Sequence, residues 1–356
     1  MAAYTTIDNP ELYFQTVLYT GNDSNRTITL PGDEDMAPDL VWVKNREQSD
    51  WHRVASSVAG TGVQLGINAN AEDTNADGFT GFVSTGFTLG ADASNIGVNE
   101  TGETHVAWCW TANGTGSANT AGSINTDATS ANTTAGFSIM KYEGNGTGGA
   151  TIGHGLGAVP GLILAKNRST GSIDWLVFHG TQGGTKYLLL NTTGAVGTAT
   201  SLWNDTNPTS TLITIGTTSK INTDGDDYIA YAWAEKQGYS KFGSYKGNGN
   251  DNGTFVWTGF KPAFLMTKTA GDAGDNNWHM MDNKRNGFNP ENHLHQADLA
   301  LAEETGSGYQ WVDFLANGFK ATVLNGSINS SGAIYLYMAF AESPFVNSNG
   351  VPNNAR

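Results

Sequence analysis

The chain has 356 residues and a formal net charge of −15, with 18 Lys and Arg against 33 Asp and Glu. That sign opposes nucleic acid, whose binders cluster Lys and Arg against phosphate, and it opposes anionic membrane surfaces. The single cysteine, Cys109, excludes an intrachain disulfide and a cysteine-built zinc cage.

The N-terminal MAAYTTIDNPELYF has neither the basic region nor the apolar stretch of a secretion signal. No run nears the roughly 18 apolar residues of a membrane helix, so membrane insertion is not expected. Charged residues are 14% and Gly numbers 46, with 10 Trp, 12 Tyr and 15 Phe. Few charges, many aromatics and abundant turn formers describe short strands joined by tight turns.

In chain order, the first strands read TVLYTG, RTITLPG, DLVWVKN, WHRVASS, GVQLGIN, GFTLG and THVAWCW, each bounded by Gly, Asn, Asp or Pro. A Gly/Ser/Thr/Asn/Ala stretch without aromatics follows at 113–135 and reads as a linker. The pattern then begins again. YTGN at Tyr19 returns as YEGN at Tyr142 and YKGN at Tyr245, and PDLVWVKNR returns as PGLILAKNR and as PAFLMTK. A tryptophan follows each, Trp51, Trp175 and Trp278. Each copy closes on an Asn-x-x-Gly turn and an aromatic strand, VNETGETHVAWCW, INTDGDDYIAYAW and INSSGAIYLYMAF. Repeats of this kind organise a fold before any motif does.

The expectation is therefore an all-β chain of three tandem antiparallel β-sandwich modules of jelly-roll or Greek-key type, each of about 100 residues. They span 1–112, 136–237 and 238–345, with a polar tail at 346–356. One stretch, HLHQADLALAEE at 293–304, carries a helix-like pattern although alignment sets it beside a strand and loop. The apolar part of PDLVWVKNR, Leu40 to Val43, reads as a central strand buried on both faces. The triplets Lys44-Asn45-Arg46 and Lys166-Asn167-Arg168 then mark where that strand leaves the core, closing it against acidic turns. An exposed ion pair there contributes about 0–1 kcal/mol.

No G-x-S-x-G elbow, H-E-x-x-H pair or Walker loop is present, and no catalytic residue, cofactor or metal is assigned. His52 and His279 share a repeat position that is Leu176 in the second copy, which argues against catalysis there. His154 reads as a loop histidine. The turn NTDGDD at 222–227 has the alternating oxygens of a calcium loop, but its counterparts do not keep them, so it reads as a turn. The repeat tryptophans Trp42, Trp51, Trp108, Trp110, Trp175, Trp233 and Trp278 are expected to pack. Trp203 and Trp311 fall outside the repeat among polar loop residues, where an exposed indole can stack on a sugar or anchor a partner. They are the ligand-binding candidates.

The stretches NPELYFQTVLYTGN, PDLVWVKNR, TGFTLG, VNETGETHVAWCW and GYSKFGSYKGNGNDNGTFVWTGFKPAFLMTK resemble tandem modules in virion surface proteins of tailed phages, notably marine and cyanobacterial ones. The resemblance covers about residues 9 to 345. It implies a non-enzymatic structural protein, assembled in the host cytoplasm and exposed on the tail as fibre, adaptor or tip, with a role in host attachment or appendage assembly. Its partners would be other virion proteins, further copies of itself and a host surface polysaccharide or receptor. A capsid-decorating knob or spike, a carbohydrate-binding adhesin and a polysaccharide depolymerase are the alternatives. The third copy departs from the pattern, with KTAGDAGDNN where the others have Lys-Asn-Arg.

Overall fold

The computed structural model describes residues 4–67, 72–74, 77–271, 276–306, 311–322 and 326–354. Among them, nearly all regular structure is antiparallel strand, and the helices are three short turns, Pro10–Leu12, Thr200–Trp203 and Gly326–Asn329. Each sequence repeat forms one large and one small sheet. The first large sheet runs Phe14–Thr20, Thr104–Trp110, Leu40–Asn45, Arg53–Ser56, Val63–Gly66, Glu72–Thr74. The third keeps the order with Ser240–Lys246, Ile334–Pro344, Phe260–Ala270, His279–Asp282 and His295–Gln296. The second has the same centre, Phe137–Glu143, Asp227–Ala234, Pro160–Asn167 and Leu176–His179, with further strands on both sides.

Alternation within these strands gives each large sheet two buried faces, because successive side chains point to opposite sides. In the first repeat Val41, Val43, Ala107 and Cys109 face the small sheet. Leu40, Trp42, Val106, Trp108 and Trp110 face away from it, into a core drawn from all three repeats. All six residues of Leu40–Asn45 are buried, as a strand covered on both faces requires. Where the repeats meet, Phe14 stacks 5.3 Å from Phe340, and Trp110 lies 6.1 Å from Trp233 and 5.6 Å from Phe340. Such ring pairs stabilise beyond their area alone.

The repeat tyrosines and asparagines hold corresponding places. The hydroxyls of Tyr19, Tyr142 and Tyr245 donate to the carbonyls of Val98, Ile221 and Ile328 at 2.7, 2.9 and 2.8 Å. Each ring stacks on the ring opposite, His105, Tyr228 or Tyr335, at 5.0, 5.2 and 5.1 Å. The side chains of Asn99, Asn222 and Asn329 accept from the backbone amides of Asn22, Asn145 and Asn248. Gly102, Gly225 and Gly332 turn with φ of 83°, 77° and 82°, which favours glycine.

One expectation is corrected. The stretch 113–135 is not a free linker: Ser117–Asn119 and Thr126–Asn132 are strands that extend the second large sheet, the latter paired with Phe137–Glu143. Its threonines suit a strand, and backbone pairing needs no aromatic side chain. At 293–304 the strand-and-loop reading given by the alignment holds over the helix-like pattern: His295–Gln296 is a strand beside His279–Asp282, and the rest is loop. The tail folds back, with Asn353 reaching Phe345, Ala316 and Ser343, and Ser348 bonding Asp8. In the third copy's divergent stretch, residues 272–275 lie outside the described residues.

Candidate functional site

Strand register sets what each repeat presents to its neighbours. Leu40, Leu162 and Phe264 stand opposite Trp110, Trp233 and Phe340. In the same register Val43 pairs with Arg53, Ala165 with Leu176 and Thr267 with His279. Hence the partner of Trp175 and Trp278 in the first repeat is His52, not Trp51, and the partner of His279 is Arg53. The backbone agrees: the amides of Ile67, Leu190 and Ala297 donate to the carbonyls of His52, Trp175 and Trp278.

These three side chains stitch the repeats into a ring. The Trp175 indole donates to Gly66 O at 2.8 Å, crossing from the second repeat to the first. Trp278 donates to Leu189 O at 2.9 Å, from third to second. His52 Nε2 lies 3.0 Å from Gln296 O, first to third. The His52 Nδ1 accepts from the Trp42 indole at 3.0 Å, so that Nε2 carries the proton toward Gln296.

The first–third seam also holds an ionic network. Arg285 is buried and meets Asp282 at 2.6 Å and Glu303 at 2.9 Å, with Trp108 5.5 Å beneath its guanidinium. Burial alone would raise the Asp282 carboxyl, but Arg285 and two backbone amides reverse this and hold it below its usual value. Arg46 donates twice to Glu303, at 3.1 and 2.8 Å. His293 lies 3.2 Å from the same carboxylate. His295 is buried with neither ring nitrogen hydrogen-bonded. Burial first, then Arg285, His52, Lys44 and Arg46, hold it well below the ordinary histidine range. This network packs the first–third seam, with Arg285 and Asp282 fully buried and Arg46 and His293 at its edge.

The Lys-Asn-Arg triplets are not surface charges. Lys44 and Lys166 are wholly buried. Lys44 donates to Asn45 O at 2.7 Å and Gln48 O at 2.9 Å, while Lys166 donates to Ile173 O. Burial pulls the Lys44 ammonium down to about 8. Lys268 keeps the role in the third repeat, donating to Asn276 O and to Thr193 O of the second. Asn45 and Asn167 cap the following turns through amides at 47–48 and 169–170.

Asp50, Glu100 and Glu103 are the described residues best placed to hold a divalent cation, their oxygens lying within 4.8 Å of one another. They already serve as acceptors, since Asn45 donates to Asp50 at 2.8 Å and to Glu103, and His105 lies 3.2 Å from Glu100. In NTDGDD, Asp226 accepts from Asn167 at 2.8 Å, a turn contact. His154 is buried on Thr209 O, 3.2 Å away.

Neither ligand-binding candidate presents a face. Trp203 is 1% exposed, edge-on to Phe178 at 5.7 Å, and Trp311 is 3% exposed, 5.3 Å from His279. Residues 307–310 before Trp311 lie outside the described residues. Beside the buried Trp203, Asp205 is exposed.

Trp51, expected to pack, is instead 41% exposed. Because His52 points into the seam, the preceding side chain must point out. Trp51 borders a groove of about 170 Å³ with Ser49, Asp50, Arg53, Asn95 and Ile96. The Arg53 guanidinium lies over one face of the indole at 5.1 Å and is fixed by Ile96 O at 3.1 Å. A second open groove, of about 410 Å³, has Tyr4 and the exposed Trp257 with Glu235, Gln237 and Lys241.

The fold thus defines an all-β protein of repeated antiparallel sheet pairs around a shared aromatic core, with surface aromatics such as Trp51 and Trp257. The chain matches the family described as Domain of unknown function (DUF7483) over residues 9–344, and it belongs to that family. No curated protein and no solved structure matches it.

Proposed function

We infer that the chain is a non-enzymatic structural protein of a tailed-phage virion, displayed on the tail, where it contributes to host attachment or appendage assembly. The observation that carries this reading is the ring of matched seam contacts from Trp175, Trp278 and His52, which ties each of the three repeats to the other two. A part that transmits load or presents a receptor surface needs such ties. The described perturbed histidines and the Arg285 network serve as packing, which suits a structural role. The sequence resemblance to virion modules supplies the setting. Further copies of the chain and other virion proteins are the partners this reading requires.

Mass spectrometry of purified particles, separated into heads and tails, tests it. The chain is expected in the tail fraction at stoichiometric abundance. Recovery with heads transfers the role to a capsid decoration, and absence from both, or release of reducing sugar from host polysaccharide, defeats the reading.

A further inference from the structure

We propose that the groove beside Trp51 is a binding subsite for a neutral sugar ring, stacked on the open face of the indole and held at its rim by Asp50, Asn95 and Ser49. The proposal goes beyond a virion role and stands or falls without it.

The first ground is that Trp51 is exposed although the repeat supplies a buried place for an aromatic one residue later. In the second and third repeats a tryptophan takes that place; in the first, His52 does, and the indole faces outward. An indole out of the core forgoes the burial that stabilises its counterparts. The packing of the repeat therefore does not account for it.

The second ground is preorganisation. Arg53, 8% exposed, covers one face of Trp51 and is itself anchored to Ile96 O, so the ring is mounted on a fixed cation and offers its other face. The opposite wall is the 92–99 loop. Asp92 is buried and accepts from the amides of Ile96, Val98 and Asn99 at 2.6, 2.8 and 2.8 Å. Asp92 and Asn95 both hold positive φ, of 55° and 52°. Backbone in that region persists only where its surroundings impose it. Gly97 presses against Asp50, where an added Cβ would come within 2.6 Å of the Asp50 Cβ. A wall and platform already fixed lose little entropy when a ligand arrives.

The third ground is chemistry. One flat apolar face beside a carboxylate, an amide and a hydroxyl matches a pyranose, which has an apolar C–H face and a rim of hydroxyls. The groove, about 170 Å³, is open to solvent, so a ring stacked on the indole needs no rearrangement to enter it. Asp50 lines the groove and clusters with Glu100 and Glu103, and Arg53 is engaged beneath the indole. That balance disfavours uronic acids, sulfated sugars and phosphate.

The test applies the full-length chain to an array of neutral and acidic glycans, then measures the best neutral hits by calorimetry. Binding to neutral glycans is expected, weakened at least about tenfold by Trp51→Ala and less by Trp51→Phe, with Asp50→Asn also weakening it. Trp51 is a surface residue, and an unchanged melting temperature would show that each variant is folded. The proposal is overturned if no neutral glycan binds, if only acidic glycans bind, if Trp51→Ala leaves binding unchanged, or if Trp257→Ala abolishes it instead. Binding by a chain absent from virions would keep this proposal and defeat the virion reading.

Discussion

At the scale of single residues, the buried lysines show how a charged group becomes part of a strand end. Lys44 leaves water only because Asn45 O and Gln48 O replace its hydration shell. Replacing it with Met removes the donor and leaves two carbonyls short of a partner. Lys44→Met is expected to lower stability by about 2 kcal/mol or more, read from urea unfolding. An effect below about 0.5 kcal/mol would mean that these carbonyls are hydrated after all. The triplet was visible in the sequence as a repeat marker, but its burial was not, because Lys and Arg are rarely fully buried. The slip between Trp51 and His52 was likewise hidden. The loop between the Lys-Asn-Arg strand and the tryptophan differs in length among the copies, so matching Trp to Trp looked natural. Only the pairing of Val43 with Arg53 fixes the register.

At the scale of elements, apolar alternation and turn glycines were enough to read the central strands, since both report directly on burial and on φ. The two strands at 117–119 and 126–132 were not legible, because their side chains are polar and their stability comes from backbone pairing. Ser130 shows the cost of reading composition alone: it is buried, and its hydroxyl accepts from the Asn113 amide at 2.8 Å. Hydrogen exchange checks this element. Amides of Thr126–Asn132 are expected to exchange nearly as slowly as those of Phe137–Glu143, and exchange within seconds would restore the linker reading. The candidate site was hardest of all to foresee. Polar neighbours in sequence drew attention to Trp203 and Trp311, yet local polarity does not say which way an indole turns.

At the scale of the whole molecule, the shared core and histidine-lined seams link stability to pH. His52, His179, His279, His293 and His295 all sit below the ordinary histidine range, burial being the largest cause for each. A histidine depressed in the folded state binds a proton more readily when unfolded. Stability is therefore fully present above about pH 6.5 and is lost as pH falls below it. For His179 and His279, each held at about 4, the loss approaches about 3 kcal/mol apiece by pH 4. His179 reaches across to Tyr337 O and His52 to Gln296 O, so two seams are affected. The melting temperature is expected to drop steeply between pH 6.5 and 4, in a single transition because the repeats share one core. A flat profile would contradict the burial of these rings. Separate transitions would mean that the repeats hold independent cores.

The placement of His52 has a further consequence, for valency. Three identical subunits would carry three identical platforms, whereas repeats joined in one chain can differ from one another. The outward indole at this register position thus occurs once per chain, with Trp175 and Trp278 turned inward. On the proposed sugar reading, a single shallow subsite would bind one sugar weakly, and avidity would have to come from many chains engaging a surface together, where effective concentration multiplies modest affinities.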